Sequence, residues 1–301
     1  MTYCKSCGNI KIIEVIILKA QSQSFDTRQS MKKQTFEIFH YRDPKIDGVA
    51  MHHHDFYEIY FFLNGSVEYR VEGRTFLLEP GDLLLISPNE FHQPLVNPGA
   101  AYERIVLWID KTYLEGFSCE NVDLSSCFKS ELPTHKNLLR LNAVQRTDIT
   151  EKLSLLIKEY YSDAFASNLS ATGIFMQLMA EINRIALVSS YSGEPMKETP
   201  LISQVLQYIS EHSSEDLSLE NLAQRFYVSK YHLSHEFSRA VGTSIYRYIM
   251  LKRLLLAKQL LADGNSPGDV CHRCGFQDYA NFYRAFKAEY GVSPKEYTKA
   301  I

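Results

Sequence analysis

Long hydrophobic runs are absent from this sequence. The most apolar stretch near its start, Ile10–Leu18, is interrupted by Lys11 and Glu14 and leads to no small-residue cleavage site. Neither a membrane span nor a secretory leader is expected, and the expected location is the cytoplasm. Cysteine is scarce, six in 301 residues, too thin for a disulfide framework. Charge is close to balance at a net −3, which by itself gives no reason to expect nucleic acid. The balance is uneven, however. Residues 1–199 carry 20 basic and 25 acidic side chains, residues 200–301 carry 12 and 10, so the C-terminal part permits DNA binding without arguing for it. The length predicts two domains, and the apolar and charged fractions are those of a folded chain.

What the sequence does have is a change of period. Residues 1–30 show none and include the polar stretch Gln21–Ser30; they are expected to be a poorly structured extension. From Phe36 to about Ile109 the pattern is strands and turns. Glu58-Ile59-Tyr60-Phe61-Phe62-Leu63 runs into the turn Asn64-Gly65. Val67, Tyr69 and Val71 then alternate with Glu68, Arg70 and Glu72. Thr75–Leu78, Leu83–Ile86 and Arg104–Ile109 follow, the first two parted by Pro80-Gly81-Asp82. Many short strands at this spacing predict a small β-sandwich or barrel. From Asp148 the period becomes helical. Ile149, Leu153, Leu156, Ile157 and Tyr160 form one apolar stripe, and Ile174, Phe175, Leu178, Met179, Ile182 and Ile185 a second. These stripes suit either a cover for the barrel or a contact between two subunits. Ser189–Pro200 has the composition of a linker.

Residues 200–301 are helical and contain a duplication. Leu222, Ala223 and Phe226 match Val270, Cys271 and Cys274 at an offset of 48; Leu233, Phe237 and Gly242 match Phe282, Phe286 and Gly291 at an offset of 49. Each copy predicts a short helix, a turn and a second helix. Ser218 and Ser229 are placed to cap the first pair, Ser266-Pro267 and Asp278 the second, with Gly275 in the turn. The intervening Thr243–Ala262 predicts a helix of roughly 30 Å, near one turn of DNA, able to set two recognition helices in successive major-groove segments.

These residues resemble the DNA-binding domain of the AraC family of transcription regulators. The resemblance rests on Leu219-x-x-Leu222-Ala223, on Ser229-x-x-x-Leu233-x-x-x-Phe237-x-x-x-x-Gly242, and on Tyr248, Arg253, Ala257 and Leu260-Leu261. It continues in Gly275-Phe276-x-Asp278-x-x-x-Phe282-x-x-x-Phe286-Lys287 and Gly291-x-Ser293-Pro294-x-x-Tyr297. It covers about a third of the chain and implies binding to two adjacent major-groove segments near promoters. Cys271 and Cys274 stand where the family has small or apolar residues. With Leu233 and Phe237 inward, the first recognition helix presents Lys230, Tyr231, Ser234, His235, Ser238 and Arg239. With Phe282 and Phe286 inward, the second presents Tyr279, Ala280, Tyr283, Arg284 and Lys287, with Gln277 just before it. Early positions reach base edges and later Arg and Lys hold phosphates.

One more motif lies in the strand region. His52-x-His54-x-x-x-Glu58 would put three ligating groups on one face of a strand, and His92, after Pro80-Gly81-Asp82 and Pro88, would complete a set suited to a divalent transition metal. The spacing resembles the cupin fold, and residues 36–109 resemble the sensor domain of the same family, which implies a pocket for a small effector such as a sugar. His52, His54, Glu58 and His92 then either hold a metal or line the pocket without one. Phe56, Tyr57, Tyr69 and Trp108 are candidates to stack on a sugar. The pairs Cys4-x-x-Cys7 and Cys271-x-x-Cys274 invite a four-thiolate zinc site, but the second pair already has core positions and no other ligands stand near the first.

The expected fold class is α+β: an N-terminal cupin-like β-barrel with accessory helices and a C-terminal all-α domain with two helix-turn-helix units. The expected boundaries are an extension at 1–30, an effector-binding domain at 31–145, a helical dimerisation segment at 146–190, a linker at 191–200 and a DNA-binding domain at 201–301. The expected function is effector-controlled transcription regulation, with promoter DNA, a small effector, a second copy of the chain and RNA polymerase as partners, no membrane, and no required cofactor. A metal-dependent cupin enzyme with a helical appendage is the rival reading.

Overall fold

A computed structural model describes residues 30–44, 48–97, 99, 101–119, 122–129, 136–188 and 199–300. All but the last residue of the expected extension at 1–30, with Cys4 and Cys7, and nearly all of the expected linker lie outside them. The chain divides into two compact units, one built on sheets and one helical, so the fold is α+β. No helix among the described residues is long and apolar enough to cross a membrane.

Among the described residues the first unit holds eight strands: β1 (Phe36–Asp43), β2 (Tyr57–Asn64), β3 (Val67–Val71), β4 (Arg74–Leu77), β5 (Asp82–Ile86), β6 (His92–Val96), β7 (Tyr102–Ile109) and β8 (Leu138–Arg140). They form a five-stranded sheet in the order β1-β7-β2-β5-β8 and a three-stranded sheet in the order β4-β3-β6. Every expected strand is present; β1, β6 and β8 have patterns too irregular or short to single out by period. Pro94 is tolerated because β6 is an edge strand, where one missing N–H donor costs no ladder bond. At the Glu72-Gly73 turn both residues lie at positive φ, 44° and 77°, as a tight two-residue hairpin requires.

The five-stranded sheet is apolar on both faces. Along β2, Tyr60 and Phe62 point inward to the smaller sheet with Tyr69, Leu84, Val106 and Trp108. Ile59 and Phe61 point outward with Ile38, Leu83, Leu85, Ile105 and Leu107. A strand covered on both sides loses its alternation, and β5, Asp-Leu-Leu-Leu-Ile, is buried throughout. The cover on the outer face is a helix pair, α2 (Ala143–Tyr160) and α3 (Ser167–Val188), following the short α1 (Lys111–Glu115). Asn142 and Gln145 begin α2 with a reciprocal capping box.

The fate of the two helical stripes is therefore settled within the chain. Ile149, Leu153, Leu156, Ile157, Phe175, Leu178, Met179, Ile182 and Ile185 all join the sheet's outer core. A subunit contact through those residues is ruled out, because they are spent covering the sheet. Leu155, Leu169 and Met176 of these helices are exposed and take no part in that cover. Charged residues in place of Leu156 and Leu178 should consequently unfold this unit and not release folded monomers. Leu178→Ala is expected to cost about 2–5 kcal/mol. Urea unfolding followed by Trp108 emission checks this, since the chain's one tryptophan sits in this unit.

The second unit consists of α4 (Pro200–Glu211), α5 (Leu219–Arg225), α6 (Lys230–Val241), α7 (Ile245–Ala262), α8 (Pro267–Arg273), α9 (Tyr279–Tyr290) and α10 (Pro294–Ala300). The duplication is realised cap for cap. Ser218 and Ser266 oxygens accept the Asn221 and Asp269 amides, both at 3.2 Å. Ser229 and Asp278 accept those of His232 and Asn281, at 3.2 and 2.7 Å. Both recognition helices end on a left-handed glycine, Gly242 at φ 84° and Gly291 at φ 76°. Cys271 and Cys274 are fully buried with Val270, Phe282 and Phe286, and burial pushes the Cys274 thiol up to about 12, so these cysteines are core residues.

Candidate functional site

The recognition helices α6 and α9 turn one face to solvent. Lys230, Tyr231, His235 and Arg239 of α6, and Tyr279, Tyr283, Arg284 and Lys287 of α9, are exposed, as is Gln277 at the entry to α9; Ser234 is half-buried. Leu233, Phe237, Phe282 and Phe286 are completely buried, as their spacing requires. The exposed cations are held by light local contacts. Lys230 Nζ lies 2.6 Å from Glu220 Oε1 on α5, Arg239 pairs with Glu236, and Arg284 Nη2 donates to Asn281 Oδ1 at 2.5 Å. Such exposed pairs contribute little and exchange readily for phosphate. Between α6 and α9 runs α7, whose 18 residues span about 27 Å. Its buried residues, Tyr248, Ile249, Leu251, Leu254, Ala257 and Leu261 among them, make it the internal spine of this unit.

A second polar constellation lies inside the first unit. Glu58 faces Trp108 across the β2–β7 ladder, and Trp108 Nε1 donates to Glu58 Oε2 at 2.8 Å. His54 Nε2 stands 3.3 Å from the same oxygen. The His92 ring centre is 4.8 Å from that of His54 and 4.2 Å from that of His52. His54, Glu58 and His92 are all buried and offer ligand atoms within 4.8 Å of one another. The expectation that His52, His54 and Glu58 share one strand face is overturned. Only His52 is bridged, by two backbone bonds to His92, and residues 53–56 are irregular. The His54 carbonyl accepts the Asn89 amide at 2.7 Å, which holds the segment off the sheet and lets the chain bend before β2. His52 remains half-buried beside the group, and His53 packs on Phe91, 4.8 Å between ring centres, outside it.

The electrostatics of this cluster are one-sided. Burial pushes His92 well below its ordinary value, helped by His52 and His54, and burial also lowers His52. Burial alone would raise Glu58, but His54 beside it, with His52 and the Trp108 hydrogen bond, holds its carboxyl below the usual range. His52 and His92, both shifted toward the neutral form, thus stand beside a carboxylate shifted toward the ionised one. Of the aromatic candidates, Phe56 stacks on His54 at 3.9 Å and Trp108 packs against Phe39 and Phe56. Tyr69 is buried between the sheets, while Tyr57 points to the other face against Phe128.

Family models match both units: residues 36–179 match an AraC-like ligand binding domain and residues 222–300 a helix-turn-helix domain. The chain belongs to the AraC family of transcription regulators. It shares 24% identity over 257 residues with the HTH-type transcriptional activator RhaS of an Enterobacter species, covering 84% of this chain and 90% of that one. It shares 26% over 239 residues with the arabinose operon regulatory protein of Escherichia coli, covering 78% and 77%. Among solved structures, the C-terminal domain of AraT, a response regulator from Geobacillus stearothermophilus, is 30% identical, with 34% of this chain and 87% of that chain covered and a TM-score of 0.33.

Within this AraC-family DNA-binding unit, one exposed residue escaped the helical-face argument because it sits in the turn. Tyr227 is 94% exposed and adopts φ 55°. At an offset of 48 its counterpart is Gly275, φ 76°, where a Cβ would lie 2.8 Å from the Ser214 carbonyl oxygen. The duplicated turn needs a left-handed residue in both copies, and only the first copy fills it with a side chain. The offset that revealed the duplication was the signal that could have found it. Relief of the left-handed strain, less the added freedom of a glycine, is expected to make Tyr227→Gly more stable by about 0.5–1 kcal/mol. Thermal unfolding followed by far-ultraviolet circular dichroism is the check.

Proposed function

We propose that this AraC-family regulator binds promoter DNA through α6 and α9 and acts as a cytoplasmic homodimer. A small effector in the first unit controls its occupancy of sites read by RNA polymerase. The observation that carries the reading is the pair of capped helices, each burying its apolar residues and presenting Lys, Arg and Tyr on its free face. Lys230, Tyr231, Ser234, His235 and Arg239 are assigned to one major-groove segment, and Gln277, Tyr279, Tyr283, Arg284 and Lys287 to the next. In domain terms, 31–145 carries the effector site, 146–190 the outward helix face for the partner subunit, 191–200 the linker and 201–301 DNA binding.

The effector site is assigned to the interior between the two sheets, bounded at one side by His52, His54, Glu58 and His92. Its polar lining includes the Tyr60 and Tyr102 hydroxyls 2.5 Å apart and an Arg104–Asp43 pair. Such a lining suits a hydroxylated molecule such as a sugar, in keeping with the name of the arabinose operon relative. Both named relatives are regulators, so the enzyme alternative is not carried forward.

Two measurements test the reading. If Arg284 forms a bidentate pair with a guanine, Arg284→Ala costs about 1–3 kcal/mol of binding and relaxes one base position. If it holds a phosphate, affinity falls alike for all sequences and the salt slope drops by about one. Undiminished, selective binding by Arg284→Ala with Lys230→Ala would remove these helix faces from the interface. For the dimer, Leu169 and Met176 lie two helical turns apart on the outward face, 70% and 41% exposed. Leu169→Glu with Met176→Glu should give a folded monomer in sedimentation, and a persisting dimer would move the contact elsewhere.

A further inference from the structure

The histidine–carboxylate cluster has more acceptors than the protein supplies protons for. His54 Nδ1 lies 2.9 Å from the Phe56 carbonyl oxygen, His92 Nδ1 2.9 Å from that of Glu90, and His52 Nδ1 2.9 Å from that of Ala50. A carbonyl has no hydrogen to give, so each Nδ1 must carry the proton. Each Nε2 of the neutral ring is then a bare lone pair. The Nε2 atoms of His54 and His92 are buried and have no hydrogen-bond partner. They converge with the Glu58 carboxylate, the ligand atoms within 4.8 Å of one another.

Three groups, all accepting, thus point at one place that water does not reach from outside. A trapped water meets the two Nε2 atoms, since Glu58 already accepts from Trp108, but brings no charge to balance the buried carboxylate. A proton shared by His54 and Glu58 leaves His92 unmet. A cation satisfies all three together. The supporting contacts are those that hold metal ligands in general: a backbone carbonyl on the far nitrogen of each imidazole, and an indole N–H on the carboxylate. Bonds of about 2.1 Å to one ion would place ligand atoms about 3.4 Å apart, which modest side-chain rotation reaches from the present spacing.

We propose that the first unit binds one divalent first-row transition-metal ion on His54 Nε2, His92 Nε2 and the Glu58 carboxylate, with the half-buried His52 as fourth ligand on the solvent side. Mixed imidazole and carboxylate ligation selects such ions over magnesium or calcium, which prefer oxygen throughout. Where the ion is taken as the effector or as part of its site, the inference rests on the first unit being the sensor; the binding itself does not depend on DNA.

Trp108 makes the site directly readable. It is the chain's one tryptophan, and it donates to the proposed ligand Glu58. Full-length protein is stripped with a chelator, dialysed, and titrated with Zn2+ and separately with Co2+. Expected are one ion per chain by elemental analysis, a change in Trp108 emission that saturates at that ratio, and visible Co2+ bands of a low-coordinate nitrogen and oxygen site. His92→Ala should weaken Zn2+ binding by at least about 100-fold. Glu58→Gln, which keeps the shape and an acceptor for Trp108, should weaken it without loss of fold, and His53→Ala should leave it unchanged. Absence of saturable binding, or binding that survives both His54→Ala and His92→Ala, overturns the proposal. So does a near-ultraviolet thiolate-to-Co2+ band, which would put the ion on cysteine. A DNA-shift assay on the same samples separates the two readings. A shift without metal binding defeats this proposal alone, and metal binding without a shift defeats only the DNA assignment.

Discussion

Everything in the first unit follows from one sheet that has no wet face. Five strands, β1-β7-β2-β5-β8, are covered inside by the smaller sheet and outside by α2 and α3. Burial on both faces supplies the apolar area that holds the unit together. It also sets a strict condition on any polar group pointing inward, because water is not there to satisfy it. The inward polar residues obey that condition in pairs: Glu58 with Trp108, Tyr60 with Tyr102, Arg104 with Asp43. His54 and His92 are each satisfied at one nitrogen only. Two unmet acceptors converging beside one carboxylate are a functional signature, and they fall at the edge where the chain leaves the sheet before β2.

The second unit solves a different problem. Each helix-turn-helix is too small to be stable alone, and α7 gives the two a shared interior. Tyr248, Leu254, Ala257 and Leu261 are buried along its length, and the last three pack with Val270, Phe282 and Phe286 of the second copy. Arg253 fastens this spine to the loop before α5, its guanidinium donating to the Ser213 and Glu215 carbonyls. The copies have diverged where solvent allows it. Their caps, inward residues and terminal glycines coincide, while their exposed faces differ, as expected of two helices reading different bases.

Much of this was legible from residue order, for physical reasons that differ between parts. The double helix-turn-helix could be read almost whole because helix caps, turn glycines and inward residues are local and recur at fixed spacing. Strands β2, β3, β5 and β7 showed through alternation or β-branched and aromatic content. The outward residues of α6 and α9 followed from knowing which residues must be inside, with Ser234 less accessible than that argument implied. The turn residue Tyr227 lay beyond it, since a helical face says nothing about a loop.

Sequence alone determined the period of each segment, the duplication, and the residue types able to bind DNA or a metal. Tertiary structure decided what each apolar face meets. The stripes of α2 and α3 were equally suited to a sheet or to a second subunit, because burial is satisfied by any apolar partner and carries no address. It also decided the histidine site. His54 and Glu58 come together through a bend and not through strand alternation, and His92 joins them from a strand distant in sequence. Contacts of that kind depend on the path of the backbone between the residues, which spacing in the sequence does not record.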